Sequence, residues 1–522
     1  MDCILFWNEV ALEANRVSHT NGKKEQTGPT LSSRALAIVH LAMYEAYARI
    51  VNDPQLPPYI PAAVPIIPPA PGASAQAAVA TAAHATLSRL YDSQKPFFDQ
   101  KHLQAVEAAA LQGPGLAEGH AFGMQIAQYI LNDRKDDPSA SDDGYAFSVA
   151  RGAHRPDPDN SDQGFHAPFY GALSKGFSIT DRFELAPPPY NAPDYLRALR
   201  EVRGRGIAPN LMGTLPNNIP PRITDQTLIG LYWGYDGAAG LGTPPRLYNQ
   251  IIRVVANDRG NSEAQNARLF TLVNVAMADA GILAWDQKYI HNFWRPVVGI
   301  REHDQSMGWE TVPQNNVDND CDSSWLPLGA PATNAMNKNF ITTQQTTPTF
   351  PFNQVIVGRS KNFTPNFPAY PSGHATFGAA ALHMARLFYG PGPGGINNGG
   401  VAVGDRNADQ LFNSLSFVSE ELNGVNQDNE GTVRPRHVRN FPNGGLWQMI
   451  EENGRSRVYL GVHWVFDAFA VNNNNRMALN RGLDPANPRI AGIGGVPLGL
   501  KIAEDIFSNG MQKSPVMPRP IN

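Results

Sequence analysis

Helical spacing recurs along this chain, and no segment shows a strong alternation of period two. A half-buried strand needs that alternation, whereas a helix needs apolar residues three and four apart. In the first half, Ile4–Arg16, Leu31–Val51, Ala73–Tyr91, Pro96–Leu111 and Leu116–Asp133 follow the helical rule. In the second half, Asp225–Trp233, Pro245–Ala256, Glu263–His291, Ser372–Phe388, Asp405–Ser419 and Gly444–Val471 follow it. Helices with apolar faces bury them against one another. The expected fold is therefore all-α: two helical bundles, residues 1–222 and 223–522, with the active site in the C-terminal bundle.

The connections should be long. The chain holds 47 glycines and 44 prolines, which punctuate helices and strands alike. Pro54–Pro71 is too rich in proline to be helical, and Asp136–Pro221 reads as a loop wrapping a domain. Arg301–Phe367 and Asn423–Asn443 read as polar loops. Loops of that length in a folded chain are usually functional.

Charge and composition narrow the partners. A formal net charge of −4 offers no field for nucleic acid or an anionic membrane. No apolar run approaches the roughly 20 residues a membrane helix needs. The first twenty residues lack the basic start of a signal peptide. Two cysteines, Cys3 and Cys321, exclude a disulfide framework and a cysteine metal cluster, and whether they pair stays open. Asp318–Asp322 starts like a calcium loop, but Ser323 and Gly329 replace the required glycine and glutamate.

Three blocks hold the chemistry. Pro371-Ser372-Gly373-His374 precedes the apolar run from Ala375, so Ser372 should cap a helix. A helix start offers free N–H groups and a positive dipole end, here with a hydroxyl and an imidazole beside it. Lys288 and Arg295 are seven apart, close to two helical turns, so both cations should share a face before Pro296 stops the helix. Arg457 and His463 fall on a segment that reads as helix, and Asp467, four beyond His463, should orient its imidazole. Taken singly, these are most often a solvated helix face, a capped turn and a core histidine. Together they supply three cations, an N–H nest, a hydroxyl and two imidazoles, which suit an oxyanion of tetrahedral or trigonal-bipyramidal shape.

The pattern Lys288–x6–Arg295–Pro296, Pro371-Ser372-Gly373-His374, then Ser456-Arg457–x5–His463–x3–Asp467 resembles the signature of the type 2 phosphatidic acid phosphatase and vanadium haloperoxidase superfamily. The long gaps between blocks resemble its fungal-type vanadium chloroperoxidase branch. So do Ile4-Leu5-Phe6-Trp7-Asn8, His166-Ala167-Pro168-Phe169-Tyr170-Gly171, Phe293-Trp294-Arg295-Pro296 and Glu420 to Asn426. The stretch from Met307 to Arg359 departs from that pattern in length and polarity.

The resemblance implies a vanadate cofactor with His463 as its protein ligand. It implies an oxygen-binding cage of Lys288, Arg295, Ser372, Gly373 and Arg457, and His374 as acid–base residue. Trp285 and Phe367 would wall the halide site, with Asp236 the acidic partner of Arg457. Hydrogen peroxide, halide and small organic acceptors would be the partners, the product hypohalous acid and the location extracellular. Phenylalanine at 367 matches the chloroperoxidase pattern, so chloride as well as bromide should be oxidised. An acid phosphatase using His463 as nucleophile and His374 as general acid is the alternative. A non-enzymatic helical scaffold is a third reading, against which stands the cost of burying unpaired cations.

Overall fold

A computed structural model gives the fold and describes residues 2–108, 115–189, 193–303, 317–331, 335–336, 362–390, 412–428, 432–480, 484 and 486–521. In the first half, five helices pack together: α1 (Cys3–Ser18), α2 (Gly28–Val51), α3 (Ala75–Leu90), α4 (Lys95–Ala108) and α5 (Leu116–Asp133). The Asp2 carboxylate accepts the Leu5 N–H at 2.9 Å and starts α1. The Ser74 hydroxyl caps α3 in the same way at 3.2 Å. α3 and α5 approach backbone to backbone, because a Cβ on Gly119 would lie 2.4 Å from the Ser74 carbonyl oxygen.

Asp136–Pro221 contains more helix than expected. A short turn, α6 (Tyr170–Leu173), and a full helix, α7 (Pro193–Arg205), lie within it. α7 buries Tyr195, Leu196, Ala198, Leu199 and Val202, a one-faced stripe of helical spacing. The surrounding prolines and arginines masked that stripe in the sequence.

The second half adds α8 (Thr224–Tyr232), α9 (Pro244–Asp258), α10 (Glu263–His291), α11 (Pro296–Arg301), α12 (Val317–Asp320), α13 (Gly373–Tyr389), α14 (Gly445–Tyr459) and α15 (Gly495–Ser508). α10 is the central strut, packing on α2 from the first half and on α13 from the second. Its first turn is closed reciprocally: Ser262 Oγ accepts from Gln265 N at 3.3 Å, and Gln265 Oε1 accepts from Ser262 N at 2.9 Å. Asp279 in its middle accepts three N–H groups, from Phe177, Ser178 and Ile179 at 2.7, 2.8 and 3.0 Å, which pins the wrapping loop to the core. Contrary to the sequence expectation, α10 is long and apolar enough to cross a membrane. Of its most apolar window, 94% is buried inside the protein, as in a core helix.

Two expected helices differ among the described residues. Residues 405–411 of Asp405–Ser419 lie outside the described residues, and 412–419 form a turn and the two-residue strand Ser416–Phe417, paired with Arg439–Asn440. Gly444–Val471 stops at Tyr459. The stretch Met307–Arg359 lies mostly outside the described residues. In the calcium-like loop, Asp320 pairs with Arg200 at 2.7 Å. No disulfide joins Cys3 to Cys321.

The site-bearing helix α13 is held by α15. A Cβ on Gly499 would fall 2.4 Å from the Thr376 carbonyl oxygen and 2.8 Å from Ala379 Cβ. Gly499→Ala must push the two helices apart and is expected to destabilise the protein by about 1–3 kcal/mol. Urea unfolding midpoints measure this. Gly213→Ala, where nothing stands within 4 Å, is the control and should leave the midpoint in place.

Candidate functional site

The three blocks converge, though not by the helical route their spacing suggested. Lys288 lies in the last turn of α10, which ends at His291 because Asn292 turns left-handed (φ 46°). Arg295 therefore leaves the helix and occupies the N-cap position of α11, with Pro296 in its first turn. Lys288 and Arg295 do not share a helical face. Arg295 instead reaches across: its NH1 donates to the Val462 carbonyl at 2.7 Å and lies 2.9 Å from His463 Nε2. Lys288 Nζ donates to the carbonyls of Pro368 and Ala369 at 2.7 and 3.2 Å and to that of Pro371. The ammonium thereby fixes the segment leading into Ser372.

His463 also leaves its helix. Gly461 takes φ +75°, and a Cβ there would lie 2.4 Å from the Gly206 carbonyl oxygen. Arg457 stays on α14, while His463 sits in the following turn and Asp467 in a 3₁₀ turn (Val465–Asp467). The expected pairing still forms, with His463 Nδ1 at 2.8 Å from Asp467 Oδ2. That same oxygen accepts the Trp464 N–H at 3.0 Å.

Hydrogen bonds fix both imidazole tautomers. A guanidinium only donates, so Nε2 of His463 accepts from Arg295 and its proton sits on Nδ1, toward Asp467. His463 therefore presents a lone pair on Nε2. His374 Nε2 lies 2.6 Å from the Gly234 carbonyl, which only accepts. Nε2 of His374 carries the proton, and Nδ1 is the basic nitrogen.

Ser372 caps α13 as expected, its Oγ accepting the Ala375 N–H at 3.4 Å and its own N–H donating to the Asp467 carbonyl at 2.8 Å. The first N–H groups of α13, Gly373 among them, have no partner within the helix. Tyr248 Oη and Asn453 Nδ2 both donate to the His374 carbonyl, at 3.0 and 2.8 Å, so the helix start is braced from two sides. Arg457 pairs with Asp236 through NH1 to Oδ2 at 3.1 Å and through NH2 to Oδ1.

The site is short of negative charge. Lys288, Arg295 and Arg457 are at most 1% exposed, and among the described residues the carboxyl groups acting on Lys288 and Arg295 are those of Asp236 and Asp467. Burial, followed by the nearby Arg295, holds the Lys288 ammonium well below the ordinary lysine range. Burial lowers the Arg295 guanidinium to about 9. Burial and then the Arg295 and Lys288 cations hold His463 well below an ordinary imidazole. Burial and then Arg457 do the same to His374. Burial pushes the Asp467 carboxyl upward against the pull of Lys288 and Arg295. Arg295 NH2 and Arg457 Nε are buried donors with no acceptor among the described residues. A bound oxyanion would give both a partner, and its charge would oppose the lowering of Lys288 and Arg295.

A cavity of about 210 Å³ reaches this cluster, with Trp285, Phe367, Gly373, His374, Arg457 and His463 in its walls. Lys288, Arg295, Ser372 and Asp467 stand behind those walls. The Trp285 and Phe367 rings lie 4.9 Å apart, and Lys288 Nζ and the Arg295 guanidinium stand 4.9 and 5.0 Å from the Phe367 ring centre. Aromatic faces partly offset those cations.

The first half of the chain contributes more than expected. His19, Thr27, Gly28, Pro29 and His166 also line the cavity. The His166 ring lies 5.8 Å from Trp285 and 6.2 Å from Phe367, and its carbonyl accepts from Trp285 Nε1 at 3.1 Å and Tyr289 Oη at 2.9 Å. The site thus draws on both halves, not on the C-terminal bundle alone. Sequence spacing holds no signal for contacts between segments 119 residues apart; the His166-to-Gly171 stretch was notable only for its resemblance.

Comparison with known proteins agrees with this geometry. Residues 1–176 match the sequence model of the vanadium chloroperoxidase N-terminal domain, and 268–476 match that of the vanadium chloroperoxidase second helical-bundle domain. A vanadium chloroperoxidase from Curvularia inaequalis is 35% identical, over 99% of this chain and 92% of that protein. The fold resembles a bacterial vanadium-dependent iodoperoxidase, with a TM-score of 0.57 and 18% identity over 96% of this chain and 95% of that one. It also resembles a holo-type bacterial vanadium-dependent chloroperoxidase, with a TM-score of 0.53 and 15% identity over 95% of each chain.

Proposed function

The chain belongs to the vanadium chloroperoxidase family, and on that footing we propose how its own residues carry out vanadate-dependent oxidation of chloride and bromide by hydrogen peroxide. The observation that carries the proposal is the unprotonated Nε2 of His463, which accepts from Arg295, set beside two buried guanidinium nitrogens, Arg295 NH2 and Arg457 Nε, that lack an acceptor among the described residues. A lone pair for the metal and cationic donors for its oxygens are what vanadate requires.

His463 Nε2 would hold the vanadium, with Asp467 keeping the proton on Nδ1 and the ring in line. Lys288, Arg295, Arg457, the Ser372 hydroxyl and the Gly373 N–H would hold the oxygens. When bound, vanadate supplies a Lewis-acidic centre that polarises hydrogen peroxide toward attack by halide without changing its own oxidation state. His374, neutral and with a bare Nδ1, takes a proton from the incoming peroxide and returns it to the departing oxygen. Trp285 and Phe367 keep water away from the entering halide, which strengthens the field of the cations. Asp236 holds the Arg457 fork in place. Hypohalous acid is the product, and small organic molecules its acceptors. The two family matches, residues 1–176 and 268–476, leave 177–267 between them, and within that stretch we place the division at 222 and 223.

Halogenation of monochlorodimedone by peroxide and chloride or bromide, with and without orthovanadate, tests the reading directly; activity indifferent to vanadate would overturn it. A second expected result concerns the cage. Phosphate shares the shape and charge of vanadate, so excess phosphate should slow reactivation of the vanadate-free protein in a concentration-dependent way. Reactivation rates unchanged by phosphate would contradict an oxyanion site built from these cations.

A further inference from the structure

One loop, residues 234–236, serves two parts of the site. The Gly234 carbonyl accepts from His374 Nε2 at 2.6 Å, and Asp236 pairs with Arg457. Between them, Tyr235 takes φ +52°, a left-handed conformation that a residue with a bulky side chain adopts only when its surroundings impose it.

Glu421 imposes it. Its side chain is fully buried. Oε1 accepts the Tyr235 N–H at 2.9 Å, while Oε2 accepts from Arg434 NH1 at 2.8 Å. The carboxylate lies so close to the loop that a Cβ on Gly234 would fall 2.4 Å from Oε1. Neighbouring bonds hold the element that bears Glu421: Ser419 Oγ donates to the Tyr232 carbonyl at 2.7 Å, and the Glu420 N–H donates to Tyr235 Oη at 3.0 Å. We propose that Glu421 is a positioning residue for the reaction: through the Tyr235 N–H it holds the 234–236 loop so that the Gly234 carbonyl fixes His374 as its Nε2–H tautomer and leaves Nδ1 bare. Glu421 touches neither substrate nor cofactor. The effect of this arrangement on turnover rests on the proposed role of His374, whereas the tautomer itself does not.

Two conservative variants separate reach from charge. Glu421→Asp keeps the charge and its pairing with Arg434 but withdraws the carboxylate by about 1.5 Å, one carbon–carbon bond. Glu421→Gln keeps the reach and an acceptor for Tyr235 but loses the charge. Nitrogen-15 NMR of histidine-labelled, vanadate-free protein reads the His374 tautomer, with His374→Gln identifying the signal. The wild type and Glu421→Gln should show the Nε2–H form, and Glu421→Asp a mixture of the two tautomers. In the vanadate-loaded enzyme, kcat should fall at least about tenfold in Glu421→Asp, since misplacement by an ångström or more costs at least that. KM for peroxide should change less than about threefold, as for a group acting after binding. Glu421→Gln should keep at least about a third of kcat, the reach being intact.

A folded Glu421→Asp with a single Nε2–H tautomer and wild-type kcat overturns the assignment, as does a Glu421→Gln that loses as much as Glu421→Asp. Should the aspartate variant fail to fold, Glu421→Met, which keeps the side-chain length but offers the Tyr235 N–H no acceptor, decides: a mixture of tautomers supports the role and a single Nε2–H tautomer refutes it. The NMR measurement needs neither vanadate nor turnover, so a failure of the haloperoxidase reading leaves it valid and distinguishable.

Discussion

His463→Ala should abolish vanadate-dependent halogenation while leaving a folded protein. His463 keeps its proton on Nδ1, toward Asp467 at 2.8 Å, so its Nε2 lone pair, which accepts from Arg295 at 2.9 Å, faces the cation cluster. Alanine removes that lone pair outright. The fold should tolerate the change, because the turn is closed by other bonds: Asp467 keeps the Trp464 N–H at 3.0 Å, and Trp464 Nε1 keeps the Trp294 carbonyl at 2.9 Å. Steady-state assays should find no turnover, equilibrium dialysis should find vanadate affinity reduced by at least about a hundredfold, as for loss of a metal ligand or its orienting partner, and circular dichroism should show helix content unchanged. Full activity in this variant would mean that the metal sits on another ligand.

Much of this site was legible before the fold was known, and the physical reason is locality. The Ser372 cap is a four-residue event, and the structure places it where sequence did. The bounds of α10 were legible because a reciprocal cap starts it at Ser262 and a long apolar run follows. Reading failed where the backbone turns for reasons outside the segment. Gly461 bends the chain because the Gly206 carbonyl stands where a side chain would go, so His463 lies on a turn even though its neighbours have helical spacing. Asn292, three residues before Arg295, ends α10, and Pro296, read as the stop, instead starts the next helix. α7 was missed because its buried stripe is short and flanked by breakers. The contributions of His166, Gly234 and Glu421 could not be read at all, since each depends on contacts between distant segments. Motif order identified the chemistry correctly because the tertiary fold restores, through loops, the convergence that helical faces alone would not provide.

That distinction sharpens the expected result for Arg295. Arg295→Ala should lower kcat by about 10²–10³-fold, the loss typical of one oxyanion donor, or roughly 3–4 kcal/mol at the transition state. Vanadate should still bind, since His463 Nε2, Lys288 and Arg457 remain. Part of any stability change will come from elsewhere, because the Phe367 and Val462 carbonyls lose the donors they now have at 2.9 and 2.7 Å. Arg295→Lys separates the two contributions. It restores a positive charge but not the planar fork that serves Val462, His463 and an oxyanion at once. If charge alone matters, the lysine variant should recover most of the lost rate. If the fork matters, as the unpaired NH2 beside the bound carbonyls indicates, lysine should recover stability without recovering kcat. The electrostatics add an independent check with a defined sign. Arg295 is the largest charged contributor lowering both Lys288 and His463, so its removal must raise both. His463 then protonates at a higher pH and its lone pair is lost sooner on acidification, so the acid limb for vanadate binding in Arg295→Ala should move to higher pH. Dialysis against vanadate across a pH series measures that limb without any turnover, and a limb that stays in place or moves to lower pH would place Arg295 too far from His463 to be part of the cage.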